Sequence, residues 1–147
     1  MTRSAAGRQI LPGRRPGTAG RPPSCDDTLY LIIGGSLGTL ARYYGATRVA
    51  EWANSNAVGV FAVNVAGAFI IGLFLTLSEE RTGLSRDVRL LVATGFLGAF
   101  TTFSAIAWDT LQFMEARDFA SATLNVAATL ACGMAAVWLG AQAARVG

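Results

Sequence analysis

The chain has 147 residues, 52% of them hydrophobic and only 14% charged, with a formal net charge of +3. A soluble domain this small leaves much of its surface in water and carries about 25% charged residues, so an ordinary soluble fold is excluded. Histidine is absent, and the two cysteines, Cys25 and Cys132, lie far apart in contexts of opposite polarity. Histidine-based catalysis, a disulfide framework and a CxxC metal or redox site are thereby excluded. All 12 basic residues are arginine and the pI is about 9.4, yet they are scattered or gathered in the N-terminal tail. With no basic helix and no aromatic-interleaved patch, no nucleic-acid partner is expected.

Residues 1–27 hold four glycines, four prolines and five arginines, with almost nothing apolar in a row. Such a composition builds no core, and Ile10-Leu11 falls short of the apolar run of about 7–15 residues in a signal peptide. A disordered basic tail is expected there. Beyond it come four stretches long enough to cross a bilayer, whose hydrocarbon core of about 30 Å takes about 20 helical residues. They fall at about 28–47, 57–78, 90–113 and 119–141; the first is uncharged until Arg42, the third until Asp109, and the second and fourth throughout. Exposed irregular backbone is not tolerated in lipid, so the expected fold is an all-α membrane protein: one four-helix domain over 28–147, multi-pass in the cell membrane. Glycines in every helix read as close helix packing.

In a membrane span the informative residues are those that cost something to insert. Arg42 sits near the end of the first expected span, where a long side chain snorkels to the interface, a structural role. Asn64 lies mid-helix and cannot snorkel; it makes either an interhelical hydrogen bond or a donor to an anion or substrate. In the third span, Gly95-Phe96-Leu97-Gly98-Ala99-Phe100-Thr101-Thr102-Phe103-Ser104 packs two glycines, two threonines and a serine into ten residues. Either the helix breaks there, freeing carbonyls and N–H groups, or its hydroxyls bond back to the preceding turn. Asn125, Thr129 and Gly133, spaced four apart, form one polar stripe on the fourth helix, as helix glue or as a conduit.

The run Gly34-Gly35-Ser36-Leu37-Gly38-Thr39-Leu40-Ala41-Arg42-Tyr43, the segment Val63-Asn64-Val65-Ala66-Gly67 followed by Gly72, and the stretch from Gly95 to Ser104 resemble the GGxxGAxxRY, VNxxG and GxxGxxTTFS motifs of the Fluc/CrcB fluoride channels. The resemblance implies a dual-topology dimer of antiparallel subunits, a third helix broken near mid-membrane, two narrow fluoride pores and one central structural sodium ion. Its function would be passive, fluoride-selective export that lowers cytoplasmic fluoride, with no enzymatic step. Matched residue by residue, the sodium ligands are the backbone carbonyls of Gly98 and Thr101. The pore asparagine is Asn64, the first phenylalanine of the aromatic pair is Phe103, and the hydroxyl beside it is Ser104. The second phenylalanine's position holds Ile106, a departure, and the family's acidic residue is matched by Asp109. The polar track of the fourth helix falls at Asn125 and Thr129. Fluoride is small and strongly hydrated, so such a pore replaces its water with amide and hydroxyl donors and the positive edges of aromatic rings.

Two other readings compete. A small multidrug-type antiporter rests on a glutamate embedded in its first helix, which this chain lacks. A non-conducting structural subunit of a heterodimeric channel gains weight from Ile106. The charge pattern bears on the partner. With four spans, nine arginines (Arg3, Arg8, Arg14, Arg15, Arg21, Arg81, Arg86, Arg89 and Arg145) share one side, against Arg48 and Arg117 on the other. The positive-inside rule then fixes both termini in the cytoplasm, whereas a dual-topology homodimer needs near balance. The expected second subunit is therefore an oppositely inserted paralogue, with the same chain as the alternative.

Overall fold

The computed structural model describes residues 24–79 and 84–146, so residues 1–23 of the tail expected over 1–27 lie outside the described residues. Ser24 opens the first helix with a capping box: its hydroxyl accepts the Asp27 N–H at 3.2 Å, and the Asp27 carboxylate accepts the Ser24 N–H at 3.0 Å. Asp26 and Asp27 also place negative charge at the positive end of the helix dipole. Helix α1 (Cys25–Ala53) therefore begins inside the stretch read as tail. It also outruns the expected span at its other end, stopping where Asn54 turns left-handed (φ 52°, ψ 37°). An apolar run measures what lipid accepts, whereas a helix continues through Arg48 and Glu51 until a cap ends it. Arg42 accordingly lies about three turns before the end of α1 and is half-buried, not at a helix end as expected.

Helix α2 (Asn56–Leu77) is followed by α3 (Arg86–Arg89), a π-helical stretch Leu90–Leu97, α4 (Gly98–Phe100), α5 (Phe103–Glu115) and α6 (Phe119–Val146). A turn with Arg117 at φ 59° joins α5 to α6, and Asp118 accepts the Ser121 N–H at 3.0 Å to start α6. No strand occurs among the described residues. Three stretches, Asn56–Leu77, Arg86–Glu115 and Phe119–Val146, are long and apolar enough to cross a membrane. Helix α1, the first expected span, is not among them; its sequence carries Asp26, Asp27, Arg42, Arg48 and Glu51.

Helix α2 forms its largest interface with α6, and α1 packs mainly on the π-helical stretch and on α2. Glycine makes both main seams. A Cβ on Gly34 or Gly38 of α1 would run into the backbone oxygens of Leu91 and Phe96, and one on Gly72 or Gly140 into those of Val137 and Phe69. These helices touch backbone to backbone, the mode that gains dispersion energy where no water drives association. The buried apolar residues are correspondingly few and mostly small: Val63, Leu97, Ala122, Ala136 and Ala144. Large apolar residues such as Ile32, Leu37, Trp108 and Trp138 point outward instead, the inverse of a soluble domain and the pattern of a surface solvated by lipid or by another subunit. At one end, the Arg86 guanidinium grips the Asp27 carboxylate with two bonds of 3.1 and 3.0 Å, tying α1 to the start of the third stretch. The Ser24 N–H, with help from Arg86, holds the Asp27 carboxyl below its usual range.

Candidate functional site

The third stretch does break. Thr101 (φ −91°, ψ 153°) and Thr102 (φ −149°, ψ 120°) are extended between α4 and α5. Asn64, from the middle of α2 and only 9% exposed, holds the break: its Oδ1 accepts the Thr102 N–H at 2.7 Å and its Nδ2 donates to the Thr102 carbonyl at 3.1 Å. An amide is the side chain that matches a peptide group in both senses, and one Nδ2 hydrogen is left over. The Thr102 hydroxyl caps α5 by accepting the Ala105 N–H at 3.4 Å and pairs with the Ser104 hydroxyl at 3.0 Å. Only one proton sits between those two oxygens, so the other hydroxyl proton is available at the positive end of α5.

The break also redirects two backbone donors. In an unbroken helix the N–H groups of Thr102 and Ala105 would serve the carbonyls of Gly98 and Thr101. Here they go to Asn64 and to the Thr102 hydroxyl. Gly98 is exposed, and Thr101 packs its methyl against Gly67 while its hydroxyl bonds back to the Leu97 carbonyl at 3.1 Å. Both sequence alternatives for the threonines thus hold at once: the helix breaks, and one hydroxyl still bonds to the preceding turn.

Phe103 follows the break and is 78% exposed. It heads a groove of about 310 Å³ between α5 and α6, lined also by Ile106, Thr110 and Thr129. Asn125 reaches across from α6, donating to the Ile106 carbonyl at 3.2 Å and to the Thr110 hydroxyl at 2.9 Å. Thr129 is buried and donates its hydroxyl to the Asn125 carbonyl at 2.7 Å. Asp109 faces a separate recess shared with Ser55, Asn56 and Gln112, and its Oδ2 is buried without a hydrogen-bond partner among the described residues. Asn64, Ser104 and Phe103 are therefore gathered about the break, Ile106 and Thr129 line the groove one to several turns on, Asn125 bonds to its α5 wall from a separate recess that it shares with Phe61 and Phe113, and Arg42 on α1 belongs to neither cluster. Thr102 and Thr110 are the partners that sequence reasoning did not single out for these roles. Thr110 had a faint signal, standing one helical turn after Ile106.

A helix-break site clamped by an asparagine on an apolar helical bundle can be compared with known proteins. Residues 29–141 match the family model described as CrcB-like protein, Camphor Resistance (CrcB). The chain belongs to the CrcB-like family. Similar members include a protein of Acidobacterium capsulatum named fluoride-specific ion channel FluC, 42% identical over 113 residues that cover 76% of this chain and 90% of that protein. Another of the same name, from Geobacter sulfurreducens, is 41% identical over 118 residues, covering 80% and 95%. A third, fluoride-specific ion channel FluC 1 of Geobacillus kaustophilus, is 37% identical over 117 residues, covering 80% and 97%. The matched region takes in the glycine seams, the asparagine clamp, the break and the groove. As a CrcB-like protein with three long apolar helical stretches, the chain is a multi-pass membrane protein.

Proposed function

We propose that this chain is a subunit of a fluoride-selective channel that lets fluoride leave the cell passively, with no enzymatic step. The observation that carries the reading is the Asn64 clamp on Thr102, which sets one free amide hydrogen, the Thr102–Ser104 hydroxyl pair and the positive end of α5 beside the exposed Phe103 ring. Small, strongly hydrated fluoride needs donors at close range, and these replace its water without any full positive charge to trap it. The family relatives named as fluoride-specific channels support the same substrate. Ile106 and Thr129 line the continuation of the path along the groove, with Asn125 behind them at the α5–α6 seam, while Asp109 and Arg42 lie outside it in structural roles.

In this reading α1 is the fourth span, and two subunits pair antiparallel across the exposed faces that include Phe103. The diverted donors leave the Gly98 and Thr101 carbonyls suited to a hard cation, and the residues present fit the structural sodium implied by the family. Such an ion would add positive potential at the dimer centre. The nine-to-two arginine imbalance favours a partner with the opposite insertion over a second copy of this chain.

Fluoride efflux from liposomes holding this chain alone, read with a fluoride electrode, tests the function. Selective efflux that drops at least about tenfold in Asn64→Ala is expected, in line with the loss of a charge-assisted hydrogen bond of about 1.5–3 kcal/mol. Wild-type efflux that does not discriminate fluoride from chloride would overturn the reading. Labelling of a cysteine placed near the C-terminus, on a background lacking Cys25 and Cys132, tests the partner: labelling from one membrane face is expected, and equal labelling from both faces together with flux would make the homodimer the functional unit.

A further inference from the structure

The hydrogen-bond donors at the α5–α6 seam are committed differently from those at the helix break. A primary amide has two hydrogens to donate and a threonine hydroxyl has one. Both Nδ2 hydrogens of Asn125 are committed, one to the Ile106 carbonyl at 3.2 Å and one to the Thr110 hydroxyl at 2.9 Å. The Thr110 hydroxyl donates its own proton to the same Ile106 carbonyl at 2.7 Å, and the Thr129 hydroxyl donates to the Asn125 carbonyl at 2.7 Å. Every polar side-chain proton of Thr110, Asn125 and Thr129 is thus committed, the two hydroxyls to carbonyls of their own helices and the amide across the seam. Thr110 and Thr129, which line the groove, have no hydroxyl proton left to offer an anion there, and Asn125 borders a separate recess with Ser55, Phe61 and Phe113.

The network instead does mechanical work. The Ile106 carbonyl is the shared acceptor, so the amide and the hydroxyl together fix the rotation of α6 on α5 at the level of Ile106. Apart from the α6–α2 seam, where glycines meet backbone, this is where α6 is keyed to its neighbours by polar groups. Phe103 sits one turn before Ile106 on α5, and Thr129 one turn after Asn125 on α6. Fixing one pair therefore fixes the width of the groove between the exposed Phe103 ring and the Thr129 face.

We infer that Asn125, acting through Thr110 and the Ile106 carbonyl, is a positioning residue that sets the width of the groove, and so the discrimination between fluoride and larger halides, without contacting the anion. The inference rests on the proposed course of the path along this groove. A direct donor and a positioning residue differ in how they couple to Thr110, which makes a double-mutant cycle the test. Fluoride and chloride fluxes are measured in liposomes for the wild type, Asn125→Leu, Thr110→Val and the double variant, with the thermal midpoint of each purified protein as a control on folding.

Positioning predicts that Asn125→Leu, which fills the same space without donors, lowers the fluoride-over-chloride ratio up to about tenfold, the scale of one neutral hydrogen bond. Thr110→Val is expected to lower it in the same direction, and the double variant to be no worse than Asn125→Leu. Multiplying effects in the double variant, or an unchanged ratio in Asn125→Leu, would overturn the inference. Should Asn125→Leu fail to fold, Thr110→Val, which keeps the side-chain shape, carries the test: an unchanged ratio there also overturns it. Phe103→Ala provides the separate control on the path, because unchanged flux in that variant removes the groove from the route whatever the cycle shows.

Discussion

The two seams that α6 makes are built on opposite principles. Against α2 its closest contacts are glycine on backbone: Gly140 lies on the Phe69 carbonyl and Gly72 on the Val137 carbonyl, so position there is dictated by how closely two backbones can approach. Against α5 the contact is smaller and is keyed by Asn125, Thr110 and the Ile106 carbonyl. A glycine seam is stiff because any added atom must displace backbone. A hydrogen-bonded seam is specific because its donors accept only one rotation, yet it yields when a donor is removed. The proposed fluoride path thus runs beside the seam that can be tuned, while the glycine seams hold the bundle.

The comparison is broken most severely by adding atoms to the stiff seam. Gly72→Val would drive a side chain into the Val137 backbone, and overpacking of about 3 kcal/mol is expected, enough to cost most of the folded protein recovered in detergent. Thermal unfolding with size-exclusion profiles checks this. Next in size is the clamp at the break. Asn64→Leu leaves the Thr102 N–H and carbonyl without their partner, and because Thr102 is half-buried, so that water meets part of the loss, the two together cost about 1–3 kcal/mol, no more than the glycine change. Its thermal midpoint should lie between those of Gly72→Val and the wild type.

A smaller effect is expected at the ion pair between Asp27 and Arg86. The Ser24 N–H, more than Arg86, holds the Asp27 carboxyl below its ordinary range. A carboxylate with a lowered folded-state pKa adds stability above its ordinary value, near pH 4, and that stability is lost as pH falls through the folded value. The thermal midpoint of the wild type should therefore fall on acidification below about pH 4, and Asp27→Asn should flatten that fall. The flattening is partial, because Asp118, lowered chiefly by its bonds to Ser121, titrates with the same sign. An Asp27→Asn curve parallel to the wild type across the acid range would remove the pair from the stability of α1.

The smallest effect sharpens the contrast. A Cβ on Gly133 meets nothing within 4 Å and the residue lies inside α6, so Gly133→Ala is expected to stabilise the isolated chain slightly, by up to about 1 kcal/mol. Lost flux in that variant with a thermal midpoint no lower than wild type would locate a close neighbour from a second subunit at that face of α6.

Much of this was legible in the sequence, for reasons that differ by residue. The apolar runs announced helices because lipid leaves the backbone no other way to satisfy itself, and the family motifs lay in them. Helix ends were less legible, since the charge-free run says where lipid ends and Asn54 says where the helix does. The glycines, threonines and serine between Gly95 and Ser104 marked a weak point, though not the π-helical turns before it. Those turns leave too little trace in composition, because π and α turns use the same apolar residues.

Sequence by itself determined that the chain is helical, membrane-embedded and CrcB-like, because hydropathy and motif spacing are properties of residues in order. It also named Asn64 and Asn125 as amides that lipid would not tolerate unpaired. Only the tertiary structure decided what each amide does, since a hydrogen bond depends on which partner the packing brings within about 3 Å. Asn64 meets a broken backbone and keeps a hydrogen to offer, while Asn125 meets a carbonyl and a hydroxyl on the next helix and keeps none.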